Sequence, residues 1–472
     1  MTDAEKPPSS PPADLPPAAA PLRTYQKVIL VGVVLAMSSI LGAVSLKWAA
    51  QNLDAGVYWR AGVEMREGGA RLYDVPRDLA VDENADLLLY VYPPAFASIF
   101  AFFTLFPPDV GMVLWAGVLM LGVLVSVRAV YDICRNPALG TFARFCWALL
   151  PLAGTLPANL YEGQINLLVT ATACTGLALI ARRRDIVGGS LVGLAFHLKV
   201  IPIVLIAVLA VQGRWRACLG VGFGLVLFYF TPLIWTVPRH GIVEGIRVNN
   251  QIGMEYFVGR AVQRVAHQKG QYVGGTRAPN ISFSAALSRC FQSGATLYYG
   301  MPERGPLIAP VNETVVRFAG LAIPGALFLL SLLLAWRKRA MPLVSAGAAG
   351  LALAAAHLGS LPCWPHHLCA LVLWAGPLIA LSRKSGEGKP PISRRAFVVI
   401  MVLLALGTVV SYDIFRAVFG PGAIASAARV ILNYYIWGGP TWVLTAAWIA
   451  SFVVLWRIKA KDSPSGLSSL LP

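Results

Sequence analysis

The chain has 472 residues, 57% of them hydrophobic and only 13% charged, where soluble proteins average about 25% charged. With 13 Trp, 20 Phe and a mean hydropathy of +0.65, this composition excludes a soluble globular protein, a disordered chain and a collagen-like or disulfide-framed one. The net charge of +17 comes from bases in short loops between apolar runs rather than from a basic stripe, so it fits the positive-inside rule and not nucleic-acid binding.

Residues 1–26 carry seven prolines within the first 21 positions and read as a disordered tail that cannot build a core. Residues 461–472 form a second tail, leaving 27–460 as one transmembrane domain. The first apolar run, 28–46, has no compact basic region and cleavage site ahead of it and is expected to stay as a membrane helix. Further apolar runs cover 93–107, 109–130, 143–160, 163–181, 186–198, 200–212, 217–237, 314–336, 342–360, 367–382, 396–414 and 437–457. Several fall short of the ~20 residues a perpendicular span needs and suit short helices buried among longer ones. The expected class is an all-α polytopic membrane protein with about 12–13 membrane helices.

Charge sets the orientation. The loops holding Arg182–Arg184, Arg214, Arg216, Arg337–Arg339, Arg383, Lys384, Lys389, Arg394, Arg395, Arg457, Lys459 and Lys461 contain 16 bases and three acids, so they are expected on the cytoplasmic side. Segment 47–92 has five bases and eight acids and falls outside. Strict alternation is satisfied by 12 spans if 93–107 does not cross, and by 13 only if a neighbouring assignment changes. The long polar segments 47–92 and 238–313 both lie on the outer face in this topology.

The candidate chemistry gathers on that face. Asp54 follows the first apolar run by a few residues, and a carboxylate held there can take a proton from an incoming hydroxyl; its alternative is a helix cap or a partner for Arg60. Gly68-Gly69-Ala-Arg71-Leu-Tyr73-Asp74 and Tyr90-Val-Tyr92-Pro93-Pro94 follow, and the proline pair suits the first turn of a new helix. Glu162-Gly163-Gln164-Ile-Asn166 marks the start of another, where amides either glue helices or bind sugar hydroxyls. Lys199 divides two short apolar runs. A lysine there needs an anionic partner or a snorkelling route, and a lipid-borne phosphate is one such partner. His366 and His367, in Pro362-Cys-Trp364-Pro365-His366-His367, could pack, bind metal or donate to a phosphate oxygen. No HExxH, DxD, Walker A or strand-flanked GxGxxG occurs, so neither a resident metal nor a soluble nucleotide site is expected. The seven cysteines (134, 146, 174, 218, 290, 363, 369) form no CxxC pair and read as packing residues.

Taken in order, these segments resemble glycosyltransferase family 87, the polyprenyl-phosphate-sugar-dependent mannosyltransferases of GT-C fold. The carrying residues are Asp54-x-x-Val57-Tyr58-Trp59-x-Ala61, Gly69-x-x-Leu72-Tyr73-Asp74, Tyr92-Pro93-Pro94, Gly163-Gln164-Ile165-Asn166, then Gly193 with Lys199-x-x-Pro202 ahead of Arg214-Trp215-Arg216, Asn280-Ile-Ser282 with Arg289, and Trp364-x-His366-His367. Ile281 stands where the family has Gln, Cys363 where it has Ser, and 264–304 is enlarged. The resemblance implies an enzyme of the cytoplasmic membrane whose active site faces outward. Its donor would be a polyprenyl-phosphate sugar, mannose first among the hexoses, and its acceptor a hydroxyl of a lipid or polysaccharide. Asp54 would be the general base of an inverting transfer that needs neither metal nor cofactor. Lys199, Arg289, His366 and His367 would bind the donor phosphate, and Tyr58, Tyr92, Gln164, Asn166 and Asn280 the sugar or acceptor. The rival expectations are a flippase for lipid-linked sugars, a GT-C enzyme moving another sugar, and a membrane protein without catalysis.

Overall fold

The computed structural model describes residues 54–74, 90–134, 139, 141–262, 280–292, 306–360, 363–383, 389–408 and 425–459. The expected tails, the first apolar run at 28–46 and most of the enlarged segment 264–304 lie outside the described residues. Among the described residues the fold is all-helical, with no strand.

Among the described residues, five helices are long and apolar enough to cross a membrane: α3 (Pro108–Cys134), a continuous run of α9 (Trp215–Tyr229) and α10 (Leu233–His240), α13 (Glu313–Arg337), α14 (Pro342–Gly359) and α18 (Gly439–Arg457). A sixth span is broken. Helices α5 (Thr155–Glu162) and α6 (Asn166–Ala181) meet at 119° across a three-residue break. The chain is thus a polytopic membrane protein. Around these spans lie shorter apolar helices: α2 (Pro94–Phe100), α7 (Asp185–Leu198), α8 (Val204–Val211) and α15 (Val372–Leu381). Outward-facing side chains on the long helices, such as Leu121 and Leu124 on α3 and Phe318 and Leu329 on α13, are large and apolar, as a lipid solvent requires.

The run 93–107 resolves the open crossing. It forms α2 and a 3-10 turn at Phe103–Leu105. The apolar stretch Pro94–Leu105 is too short to cross, since at ~1.5 Å per residue it reaches less than 20 Å into a ~30 Å hydrocarbon layer. Pro93 and Pro94 do start the helix. All of its residues but Ile99 are buried, so α2 is an internal wedge rather than a span.

Two packing devices place the site. In α14, 78% of the apolar window is buried against 28–39% in the other long spans, making it the central helix. Its small residues allow this: a Cβ on Gly350 would come within 2.5 Å of the Trp374 backbone on α15. Helices α7 and α9 meet through Gly189-x-x-x-Gly193 and Gly220-x-x-x-Gly224, where an added Cβ would fall 2.1–2.8 Å from a carbonyl oxygen of the partner helix. Such small-residue seams let membrane helices approach closely. This contact fixes the axis of α7, and Lys199 is the residue that caps its C-terminal end.

The polar segments expected on the outer face also contain helices. α1 (Asp54–Arg66) is followed by Gly68 and Gly69, both at positive φ. α11 (Ile242–Met254) continues into a π-helical stretch, Glu255–Val262, and α12 (Phe283–Phe291) follows. The remaining described helices are α4 (Phe142–Ala148), α16 (Arg394–Gly407) and α17 (Ala425–Ile436). A satellite core at this end joins α1, α2 and the start of α3. In it the buried Tyr58 ring meets Phe96, Tyr92, Phe100 and Trp115 edge to face at 4.7–6.3 Å.

Candidate active site

The break between α5 and α6 is the centre of the site. Gly163 ends α5 in the left-handed region at φ 64°, where glycine has no Cβ penalty, and its carbonyl accepts the Trp115 indole N–H at 2.9 Å. The chain turns there and delivers Gln164 and Asn166, 2% and 3% exposed, into a space bounded by α1, the segment before α2, and the end of α7.

A directed hydrogen-bond chain crosses that space. Lys199 Nζ donates to Asn166 Oδ1 at 2.6 Å. Asn166 Nδ2 donates to Gln164 Oε1 at 3.3 Å, and Gln164 Nε2 donates to the Asp54 carboxylate. The charges at the two ends set the orientation of both amides, since flipping either would point an NH2 at the ammonium or an oxygen at the carboxylate. Bonds aligned in this way polarise one another. The hydroxyls of Tyr58 and Tyr92 stand 2.9 Å apart and reach Gln164 Oε1 at 3.2 and 3.3 Å. The Lys199 ammonium lies 5.7 Å from the centre of the Tyr92 ring, within cation–π range.

Asp54 and Lys199 keep part of their surface while the amides between them are buried. Both charges still lie deep among packed atoms. Burial raises the Asp54 carboxyl from its ordinary value to about 6, against the opposing pull of Lys199 and the Gln164 hydrogen bond. Burial lowers Lys199 to about 8, with the Asp54 charge opposing it. A carboxylate near 6 is a stronger base than an ordinary aspartate and is ionised at neutral pH.

The histidine turn closes the site from the other side. Trp364 caps a 3-10 helix at Pro365–Leu371, and His366 and His367 are 8% and 6% exposed. The Trp364 backbone N–H donates to His367 Nδ1 at 3.3 Å, so the neutral ring carries its proton on Nε2. Lys199 lies within electrostatic reach of His366, Cys363 and Cys369. Among the described residues, no set of three His, Cys, Asp or Glu side chains gathers closely enough to hold a metal ion.

Asn280 and Arg289 occupy a different place. Asn280 is 1% exposed and Arg289 0%. Asn280 Oδ1 accepts from the backbone N–H groups of Ser282 (3.1 Å) and Cys363 (3.0 Å). Arg289 donates to the backbone carbonyls of Asn280 and Ile436, both at 3.0 Å. These two residues brace the strand of chain behind the histidine turn, where Ile281 N–H also bonds the Cys363 carbonyl at 2.7 Å. The structure therefore gathers Asp54, Tyr58, Tyr92, Gln164, Asn166 and Lys199 into one network, sets His366 and His367 beside it, and sets Asn280 and Arg289 apart from it, each hydrogen-bonded to backbone.

Two participants were missed in the sequence. Asn159, fully buried on α5, donates to the His366 carbonyl at 2.8 Å and to the Thr155 carbonyl at 2.9 Å, and its Oδ1 accepts from Asn166 Nδ2 at 3.3 Å. It joins the histidine turn to the amide chain. His357, near the end of α14, has its ring 5.9 Å from that of His367. Both were signalled by a lone polar residue inside an apolar run, which is a functional candidate by default in a membrane helix.

Residues 90–311 match the model of glycosyltransferase family 87. Over that stretch, a little under half of its length, the chain is similar to glycosyltransferase family 87. The match takes in Tyr92, Gln164, Asn166, Lys199, Asn280 and Arg289, and stops short of Asp54 and Tyr58 at one end and of His366 and His367 at the other. For those four, the geometry above is what ties them to the matched region. Comparison with curated proteins and with solved structures gives no match. The family match and the membrane spans together support a membrane glycosyltransferase, which takes a sugar from a donor and passes it to an acceptor.

Proposed function

We propose that this glycosyltransferase moves a hexose, with mannose the first candidate, from a polyprenyl-phosphate donor to a hydroxyl of a lipid or polysaccharide acceptor, with inversion at the anomeric carbon. Asp54 removes the acceptor proton as the hydroxyl oxygen attacks the anomeric carbon. The bond from that carbon to the phosphate oxygen breaks on the opposite face. The lipid phosphate leaves with the electron pair, and the Lys199 ammonium meets its developing charge. Fixed groups aimed at leaving-group charge supply a large share of catalysis. His366 and His367 add donors on the same side. Tyr58, Tyr92 and the Gln164–Asn166 amides orient sugar or acceptor hydroxyls. The active site opens on the outer face of the cytoplasmic membrane in a GT-C arrangement, and the chemistry uses no metal.

The observation that carries this reading is the Asp54–Gln164–Asn166–Lys199 chain. It holds one base and one cation at opposite ends of a single polar network, which is what a displacement with a proton to remove and an anion to release requires.

The test is transfer from radiolabelled polyprenyl-phosphate-mannose, in membranes of a host lacking related enzymes, with wild type beside Asp54→Asn and a chelator in one arm. Label reaching an acceptor in wild type alone, with chelator or without, is the expected result. Label changing leaflet without reaching an acceptor in either protein would replace the transferase reading with a flippase. Transfer from a polyprenyl-phosphate carrying another sugar, and not from the mannose donor, would correct the sugar alone.

A further inference from the structure

The end of the bundle away from Asp54 carries a second feature. Helix α6 starts at Asn166 in the active site and ends at Ala181, so its far end is roughly 24 Å away along the axis at ~1.5 Å per residue. There α3, α6 and Phe142 of α4 line a groove of about 460 Å³, within the ~300–1,000 Å³ of small-molecule sites. Its walls are apolar, with Leu124 and Val125 from α3 and Ala178 and Leu179 from α6.

Charge is confined to its mouth. Arg128 and Arg182 both reach the single carboxylate of Asp132, at 3.3 and 2.8 Å. Two guanidiniums on one carboxylate leave a net positive charge, and Arg183 and Arg184 follow directly in the chain. Each guanidinium carries five N–H donors, of which Asp132 takes only part. Arg128 is held over the mouth by the rings of Tyr131 and Phe142, 5.7 and 5.8 Å from its Cζ.

An apolar trough ending at paired arginines has the chemistry of a phospholipid with a negative headgroup. The acyl chain lies along Leu124, Val125, Ala178 and Leu179, and the phosphate meets Arg128 and Arg182 by charge-assisted, bidentate bonding. A zwitterionic lipid offers the same chain but brings its own cation to the arginines. We propose that this groove is a binding site for an anionic glycerophospholipid in the leaflet opposite the active site. Neither the family match nor the transfer chemistry assigns it.

The experiment uses the full chain, purified and delipidated in an uncharged detergent. Phosphatidylglycerol and phosphatidylcholine of identical acyl chains are added in equal amounts, and retained lipid is read by native mass spectrometry. Wild type is expected to retain phosphatidylglycerol at least about fivefold over phosphatidylcholine, the effect of roughly one basic residue near a lipid surface. Arg182→Gln and the more exposed Arg128→Gln each lower that ratio towards one. Asp132→Asn, which removes the competing carboxylate, raises it. Ala178→Trp fills the trough and reduces retention of both lipids. Inorganic phosphate at millimolar concentration does not displace the bound lipid, since it lacks the chain. Equal retention of the two lipids by wild type overturns the proposal, as does a ratio unmoved by all three charge variants, or displacement by phosphate alone. Because Asp132→Asn shifts the ratio upward, a folding defect in an arginine variant cannot imitate the expected pattern.

Discussion

Two buried polar clusters lie on either side of the histidine turn, and they use their cations differently. In one, Lys199 is partly exposed, bonds an amide side chain, and answers a carboxylate at the far end of a chain of amides. In the other, Arg289 is wholly buried, and its Nε and one Nη donate to the backbone carbonyls of Ile436 and Asn280. Both residues belong to motifs that the family resemblance marks as phosphate ligands. The difference teaches that a cation in a motif serves a ligand only when its protein partners leave it turned toward an opening. A cation bonded to backbone carbonyls in a closed interior is holding chain segments together.

The largest expected effect falls on the first cluster. Asp54→Asn keeps the size of the side chain and removes the proposed base, so transfer should fall by roughly 10²–10⁴-fold, the usual worth of a positioned general base. Thermal stability should stay close to wild type, because the buried ionised group is what burial disfavours. A variant that melts early would point to a structural acid instead.

Arg289 provides the contrast. Arg289→Met strands the Asn280 and Ile436 carbonyls and removes two charge-assisted hydrogen bonds, at ~1.5–3 kcal/mol each, so stability should drop by about 3 kcal/mol or more. The KM for the lipid donor in whatever folds should be nearly unchanged. A large rise in that KM with an unchanged melting temperature would move Arg289 back to the phosphate.

The pH profile sharpens the first cluster further. In the proposed mechanism Asp54 works ionised and Lys199 works protonated. With values of about 6 and about 8, kcat/KM should rise through the first and fall through the second, as a pair property of coupled groups. Lys199→Arg supplies a cation that stays charged. It should keep the acid limb and lose the alkaline one. Lys199→Gln removes the charge that holds Asp54 down, so its acid limb should move to higher pH while the donor KM rises. An acid limb that stays in place in Lys199→Gln would separate the two residues electrically.

Much of the fold was legible because a membrane writes its demands as long apolar runs. The spans at 109–130, 314–336, 342–360 and 437–457 are helices close to those bounds. The status of 93–107 was open, since an apolar run of that length suits a wedge as well as part of a span, and only the burial of α2 decides it. The site was legible where a charge or amide interrupts an apolar stretch, as at Asp54, Gln164, Asn166 and Lys199. What a residue bonds to was not legible. Asn280 and Arg289 look in sequence like binding residues, and only the path of the chain past Cys363 and Ile436 shows the backbone groups they also bond. Asn159 was passed over because it sits seven residues from Asn166 across a turn whose 119° bend has no linear signature beyond Gly163.

The smallest expected effect tests how the network and the histidine turn depend on each other. Asn159 touches no substrate in the proposed mechanism; it is a positioning residue with one hand on the His366 carbonyl and the other on the Asn166 amide. Asn159→Ala removes both bonds and should slow kcat by about tenfold, in line with the cost of small misplacements around a reacting centre, with the donor KM changed less. Asn159→Asp keeps an oxygen for Asn166 Nδ2 but has no N–H for His366 and Thr155. If the histidine turn matters to the phosphate, the aspartate variant should lose nearly as much kcat as the alanine variant. If the amide chain alone carries the effect, the aspartate variant should recover most of it. Equal stability losses in both variants, with kcat untouched, would leave Asn159 as packing and uncouple the turn from the Asp54–Lys199 chain.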